Sequence, residues 1–114
     1  VSVACIFCRI ATKDLASGIV YEDAEIVAFR DVNPQAPTHV LVIPKRHVAS
    51  LDATVEADAK LLAAMMLAAK RVAAAEGLSG GYRVVTNIGP DGGQSVSHLH
   101  LHVLGGRPMV WPPG

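Results

Sequence analysis

Residues 98–104 read His-Leu-His-Leu-His-Val-Leu, which sets three of the chain's five histidines at every second position. On a strand, successive side chains point to opposite faces. His98, His100 and His102 therefore share one face, and Leu99, Leu101 and Val103 share the other. The apolar row can pack on a helix. A row of imidazoles has no such outlet, and neighbouring rings cannot all ionise comfortably. A histidine-rich surface strand is the bland alternative, and the strict alternation argues against it. A neutral imidazole is both a nucleophile and a proton carrier near neutral pH. Aligned imidazoles suit either metal binding, as His-x-His pairs do, or covalent phosphoryl chemistry. The preceding loop favours the second. Asn87, Gly92, Gly93, Gln94 and Ser95 offer backbone N–H groups and short polar side chains of the kind that hold a phosphate.

Cys5 and Cys8 are the whole thiol inventory. A lone Cys-x-x-Cys is a redox pair, half a zinc site, or two idle thiols. No thioredoxin-like βαβ pattern follows, so the redox reading is the weakest of the three. Two cysteines are too few for the disulfide framework of a small secreted domain, which makes a reducing compartment, the cytoplasm, the expectation.

The elements that position these groups are legible in outline. A short helix is predicted around residues 7–12, with Phe7 and Ile10 on one side. Strands are predicted over Ile19–Glu22, Ile26–Arg30, 39–43, 82–87 and 98–104. Two prolines and an Asx residue make 31–37 a loop, and 89–93 is a tight glycine-rich one. One helix is predicted over 52–76, with Thr54 as N-cap and Glu56 and Asp58 in the first turn. Leu61, Leu62, Met65, Met66, Ala69, Val72 and Ala73 form its apolar stripe, and Gly77 supplies the stop. Strands in hairpin order with one long helix give an α+β domain with an antiparallel sheet, residues 1–114 forming a single unit. One helix covers one sheet face, so the other face or an edge is open to a ligand or partner.

Composition sets the bounds. The chain has 114 residues, 51% hydrophobic and 18% charged, which excludes global disorder. Ten Lys+Arg balance ten Asp+Glu, so the footprint of a duplex nucleic-acid binder is missing. No apolar run approaches the ~20 residues of a membrane span. Arg9, Lys13 and Asp14 interrupt the first twenty residues, so no signal peptide is expected there.

Residues 98–104 match the histidine triad signature, His-φ-His-φ-His-φ-φ with φ apolar. The match extends to Phe29-Arg-Asp31, to Asn33-Pro-Gln-Ala-Pro-Thr-His39 and to Val42-Ile-Pro-Lys45. It continues through Asn87, Asp91-Gly-Gly-Gln-Ser95 and the Trp-Pro-Pro-Gly end at 111–114. Over nearly its whole length the chain resembles the histidine triad (HIT) family, in its nucleotide-binding branch of purine nucleoside phosphoramidases. The Trp-Pro-Pro-Gly end is typical of that branch. Related nucleotidyl transferases carry glutamine where this chain has His102, which favours hydrolysis over transfer.

The resemblance implies a HIT-like fold: a five-stranded antiparallel sheet, one long helix and a short N-terminal helix. It also implies a homodimer with one continuous sheet of ten strands. The implied substrates are AMP–amine compounds, nucleoside 5′-phosphoramidates or aminoacyl adenylates, with a purine nucleotide (AMP- or GMP-like) as ligand. By position, His100 would attack the α-phosphorus, His102 would bind a non-bridging oxygen, and His39 would orient the triad. Ser95 would assist the leaving group, and Asn87 and Gly93 would hold the phosphate and ribose side. Asp31 would take the ribose hydroxyls. Phe7, Ile10, Leu15, Phe29 and Val32 would form the slot for the base. The family's structural zinc site would fall on Cys5, Cys8, His47 and His98, and no organic cofactor is implied. Plainer roles stand beside these: Asp31 capping its loop, Ser95 an idle hydroxyl, and the apolar set ordinary core. A dinucleoside polyphosphate hydrolase and a non-catalytic nucleotide-sensing dimer are the competing functions.

Overall fold

A computed structural model describes residues 5–114. The β-branched segments fold as β1 (Ile19–Glu22), β2 (Ile26–Arg30), β3 (Thr38–Pro44), β4 (Tyr82–Val85) and β5 (Leu101–Gly105). They form one five-stranded sheet in the order β1-β2-β3-β5-β4, antiparallel throughout. The first hairpin is set by Asp23, whose Oδ1 accepts from the backbone N–H groups of Glu25 and Ile26, both at 2.8 Å. This Asx turn fixes which faces of β1 and β2 meet.

Two helices cover the two faces. The helix α2 (Ala59–Ala75) lays Leu61, Met65, Ala68, Ala69, Val72 and Ala73 on Ile26, Ala28, Val40, Val42, Leu99, Leu101 and Val103. On the opposite face α1 (Ile6–Ala11) packs Phe7 and Ile10 on Val27, Phe29, Leu41 and Ile43. Alternate residues of β2 and β3 thus enter different cores. That explains why both strands read as unbroken apolar runs.

Gly77 ends α2 as expected. It sits at φ +72°, its N–H donates to the Ala74 carbonyl at 3.1 Å, and the Leu78 N–H donates to Ala73 at 3.0 Å. Those two bonds are a Schellman closure. At the far end of the chain, Arg83 on β4 donates to the carbonyls of Pro113 (3.2 Å) and Val110 (2.9 Å). The tail is thereby tied down while the Val110 and Trp111 side chains stay exposed. Among the described residues no helix is long and apolar enough to cross a membrane.

The structure corrects three boundaries. The region before α2 is not helix from residue 52: 3₁₀ turns at Leu51–Ala53 and Glu56–Asp58 precede it. Thr54 is no N-cap, since its Oγ1 donates backwards to the Leu51 carbonyl at 2.7 Å. Asp58 accepts from the Val55 N–H at 2.9 Å and pairs with Arg46, so local side-chain bonds compete with the α-helix here. The core stripe is also narrower than expected. Met66 is 53% exposed and Leu62 only partly buried.

The last strand begins at Leu101, opposite Val42, rather than at 98, and its pairing with β3 stops there although β3 continues to Pro44. The Leu99 N–H instead donates to Val48 at 2.6 Å. Alternation survives the loss of the ladder. Leu99 is buried toward α2, and His98 and His100 are buried as well. Likewise β4 stops at Val85, and Thr86 Oγ1 donates to the His100 carbonyl at 2.9 Å.

Gly77→Ala would force a Cβ into a left-handed turn with nothing to clash against. The expected outcome is a loss of roughly 1 kcal/mol of unfolding free energy, read as a lower urea midpoint. An unchanged midpoint would mean that this turn does not fix the helix end.

Candidate active site

Pairing of β3 with β5 sets Leu41 opposite His102, and His39 lies two residues back on the same side of β3. His39 Nε2 and His102 Nδ1 are 2.9 Å apart. Their partners decide which nitrogen carries each proton. The Gln35 backbone N–H donates to His39 Nδ1 at 3.0 Å, so a neutral His39 keeps its proton on Nε2. That proton is donated to His102 Nδ1, which leaves the His102 proton on Nε2. His100 Nδ1 lies 2.7 Å from the His98 carbonyl, which can only accept. Its proton is therefore on Nδ1, and Nε2 holds a lone pair. The ring centroids of His100 and His102 are 5.0 Å apart. A nucleophilic nitrogen and an N–H donor stand side by side.

The His39–His102 arrangement requires neutral rings, and burial favours them at both. Burial lowers the His39 pKa, with the nearby Asp31 carboxylate opposing. Burial is also the largest cause at His102, followed by the neighbouring His100 and His39, and Asp31 again opposes. Together they bring His102 from its ordinary 6.5 to about 4.

The pair opens on a cavity of roughly 420 Å³. Of the residues singled out in the sequence, Phe7, Ile10, Leu15, Phe29, Asp31, Val32, Ser95, His100 and His102 line it. Phe7 meets His100 edge-on at 5.1 Å. Val32 is fully exposed, and His39 stands outside the lining, hydrogen-bonded to His102. Asp31 does two things at once: Oδ1 accepts from the Asn33 N–H at 2.8 Å, and Oδ2 lies 3.4 Å from His39 Nε2. Asn87 and Gly93 are not among the lining residues. The Asn87 amide donates to the Gly92 carbonyl at 2.7 Å, bracing the loop in which Gly93 turns at φ +78°.

Sequence reasoning missed Ile6, Ala16, Ser17, Arg30, Leu41 and Val96, which also line the cavity. Leu41 was available from the alternation of β3. Ser17 was not, because nothing periodic marks residues 12–18. Its hydroxyl is buried and without a hydrogen-bond partner among the described residues. Gln94, expected at the phosphate, braces the loop instead. Its Nε2 donates to Ala49 (2.8 Å) and Val96 (2.9 Å), and its Oε1 accepts from the Gly89 N–H (3.1 Å).

Cys5, Cys8, His47 and His98 come together as the sequence led one to expect, one donor atom each within 4.8 Å of the others. His98 Nδ1 lies 3.3 Å from Cys5 Sγ, 3.5 Å from Cys8 Sγ and 3.2 Å from His47 Nδ1. Tetrahedral ligands at ~2.0–2.3 Å from zinc stand about 3.3–3.8 Å from one another, so the set fits. The outer contacts agree. His98 Nε2 donates to the Pro44 carbonyl at 2.8 Å, which turns the Nδ1 lone pair toward the thiols. Burial first, then His47 and His100, lowers the His98 pKa, with the Pro44 carbonyl opposing, and a ligand must be neutral. Asp31, His39 and His102 also cluster, but their 2.9 Å nitrogen contact is a hydrogen bond rather than a ligand spacing.

Residues 12–109 match the model of the HIT domain. The chain belongs to the HIT domain family. The structure of a HIT family hydrolase from Legionella pneumophila superposes on it with a TM-score of 0.94 at 52% identity, covering 96% of this chain and 99% of that one. An uncharacterised HIT-like protein of Synechococcus elongatus is 56% identical over 110 residues, 96% of each chain. The 14 kDa zinc-binding protein of Zea mays is 52% identical over 111 residues, 96% of this chain and 87% of that protein.

A HIT domain with a neutral relay pays for acid. Between pH 6.5 and about 4 the unfolded chain takes up a proton that folded His102 refuses. Stability is therefore full above pH 6.5 and falls as pH drops through that window. Thermal midpoints across the range should show the decline, and His102→Gln should make it shallower, the lowered pKa of His39 keeping a share. A variant with the parent's slope would contradict the neutral assignment.

Proposed function

We propose that the chain hydrolyses purine nucleoside 5′-phosphoramidates, and related AMP–amine bonds, through a nucleotidyl-histidine intermediate. One observation carries the reading: the His100 Nε2 lone pair is set by a carbonyl on its far nitrogen and stands beside the His102 N–H, on the wall of an apolar cavity. The name of the Legionella relative supports the hydrolase class.

Each group then has a task. Nε2 of His100 attacks the α-phosphorus, a P–Nε2 bond forms, and the bond to the leaving nitrogen breaks. The ring becomes cationic, and its Nδ1–H bond to the His98 carbonyl strengthens as it does. His102 Nε2–H donates to a non-bridging oxygen as negative charge gathers there. Ser95, on the cavity wall, donates its hydroxyl proton toward the departing amine. Water then cleaves the P–Nε2 bond and gives its proton back to the Ser95 oxygen, releasing the nucleotide and returning neutral His100. Phe7, Ile10, Leu15 and Phe29 hold the base, and the ribose hydroxyls reach Asp31 Oδ2.

Zinc suits the four-donor cluster, and the name of the maize relative points the same way. With every position filled by protein, it would supply structure and no open site for substrate. Two thiol ligands suit a reducing compartment, the cytoplasm. A homodimer is part of the proposal, because β4 is an edge strand that exposes Tyr82 and, through Arg83, holds the exposed tail.

His100→Ala should reduce turnover of adenosine 5′-phosphoramidate by at least ~10³-fold while AMP still binds. Mass spectrometry of acid-sensitive adducts, run on quenched protein, should place the nucleotidyl group on His100. Finding it on His102 would overturn the mechanism. Faster turnover of a dinucleoside polyphosphate would favour the competing hydrolase. Sedimentation should give a dimer at micromolar concentration, and a monomer at every concentration would remove that part of the proposal.

A further inference from the structure

We propose that the Cys5–Cys8–His47–His98 cluster is energetically coupled to the nucleotide slot. A zinc-class cation and a 5′-nucleotide then each tighten the binding of the other. The inference rests on the nucleotide reading above and goes beyond a merely structural metal.

Three connections run from the cluster to the slot, each through a different ligand. His98 offers Nδ1 to the cluster, while its own carbonyl holds the His100 Nδ1 proton at 2.7 Å. Fixing one residue fixes the other's tautomer. His47 begins a strap of three residues. The next carbonyl, of Val48, accepts from the Leu99 N–H at 2.6 Å, between His98 and His100. The one after, of Ala49, accepts from Gln94 Nε2 at 2.8 Å, immediately before Ser95. The third connection is α1. Cys5 caps it, its Sγ accepting from the Cys8 N–H at 3.4 Å, and the ring of Phe7 lies between the two ligands in sequence. That ring meets His98 at 5.9 Å and His100 at 5.1 Å, and with Ile10 it forms wall of the cavity.

The element that both sites bias is α1 with its strap. A helix of six residues has no stability of its own. Its docking rests on the Phe7 and Ile10 contacts and on the cluster. Two thiols and two imidazoles at 3.2–3.5 Å favour that docked arrangement most when a cation takes their lone pairs. A base in the slot would press on Ile6, Phe7 and Ile10 of the same helix. Whichever ligand binds first orders α1 and the strap, and the second meets them already ordered.

The zinc-loaded protein is titrated with a chromophoric chelator in reducing buffer, with and without saturating AMP. AMP should raise the retained zinc affinity by about tenfold, inside the ~5–150-fold that site–site couplings span. AMP affinity measured by calorimetry on loaded and metal-free protein should differ by the same factor. Nitrogen chemical shifts should show His100 protonated on Nδ1 in the loaded protein and a mixture of tautomers without metal. Circular dichroism at the end of the chelator titration should show the metal-free chain still folded, since a chain that unfolded would couple the two ligands through folding alone and overturn the local route. AMP that binds yet leaves zinc affinity within twofold overturns the coupling and spares the nucleotide reading. No AMP binding at all overturns both.

Discussion

The bond from His100 Nδ1 to the carbonyl of His98 is the constraint from which the rest of the site follows. It decides which His100 nitrogen keeps a lone pair, and it needs the chain at 98 held still. Ordinary strand pairing is missing there, since the β3–β5 ladder stops at the Val42–Leu101 pair. The backbone is held instead by Val48 accepting from Leu99, by Thr86 reaching the His100 carbonyl, and by the His98 ring bonded to Pro44. Leaving the ladder early frees these groups to aim side chains and carbonyls that a regular strand would keep paired.

A second relay answers the first. The loop before β3 turns the Gln35 N–H onto His39, and that single donor sets the proton positions of two imidazoles in series. Burial keeps both rings neutral against the pull of Asp31. Were the carboxylate to win, His39 Nδ1 would hold a proton where it now accepts one, and the Gln35 N–H would lose its partner. Polar order in the site thus depends on the apolar cores on each side of β2 and β3.

Much of this was legible in the residues. Period-two alternation at 98–103 gave the two faces correctly even where no strand forms, because alternation follows from extended backbone and not from ladder bonds. Gly77 was readable because a left-handed turn is a local property. Thr54 misled because a hydroxyl can bond forward as a cap or backward to a carbonyl, and residue type does not distinguish the two. Met66 misled because a stripe's width depends on the flatness of the sheet beneath it. The roles of Asn87 and Gln94 are set by carbonyls at Gly92 and Ala49; the first is local, and no spacing in the sequence encodes the second, which reaches across the fold.

The grip of Arg83 on the tail has a consequence for association. It holds the main chain through two carbonyls and leaves the side chains alone, so Trp111 is 85% exposed on a segment that is already fixed in place. A floppy terminus would surrender conformational freedom on meeting a partner, and that loss would count against affinity. Here the freedom is given up during folding. A large indole would thus meet a partner from a backbone already fixed, and water leaving its faces would count toward association with little offset from ordering the tail.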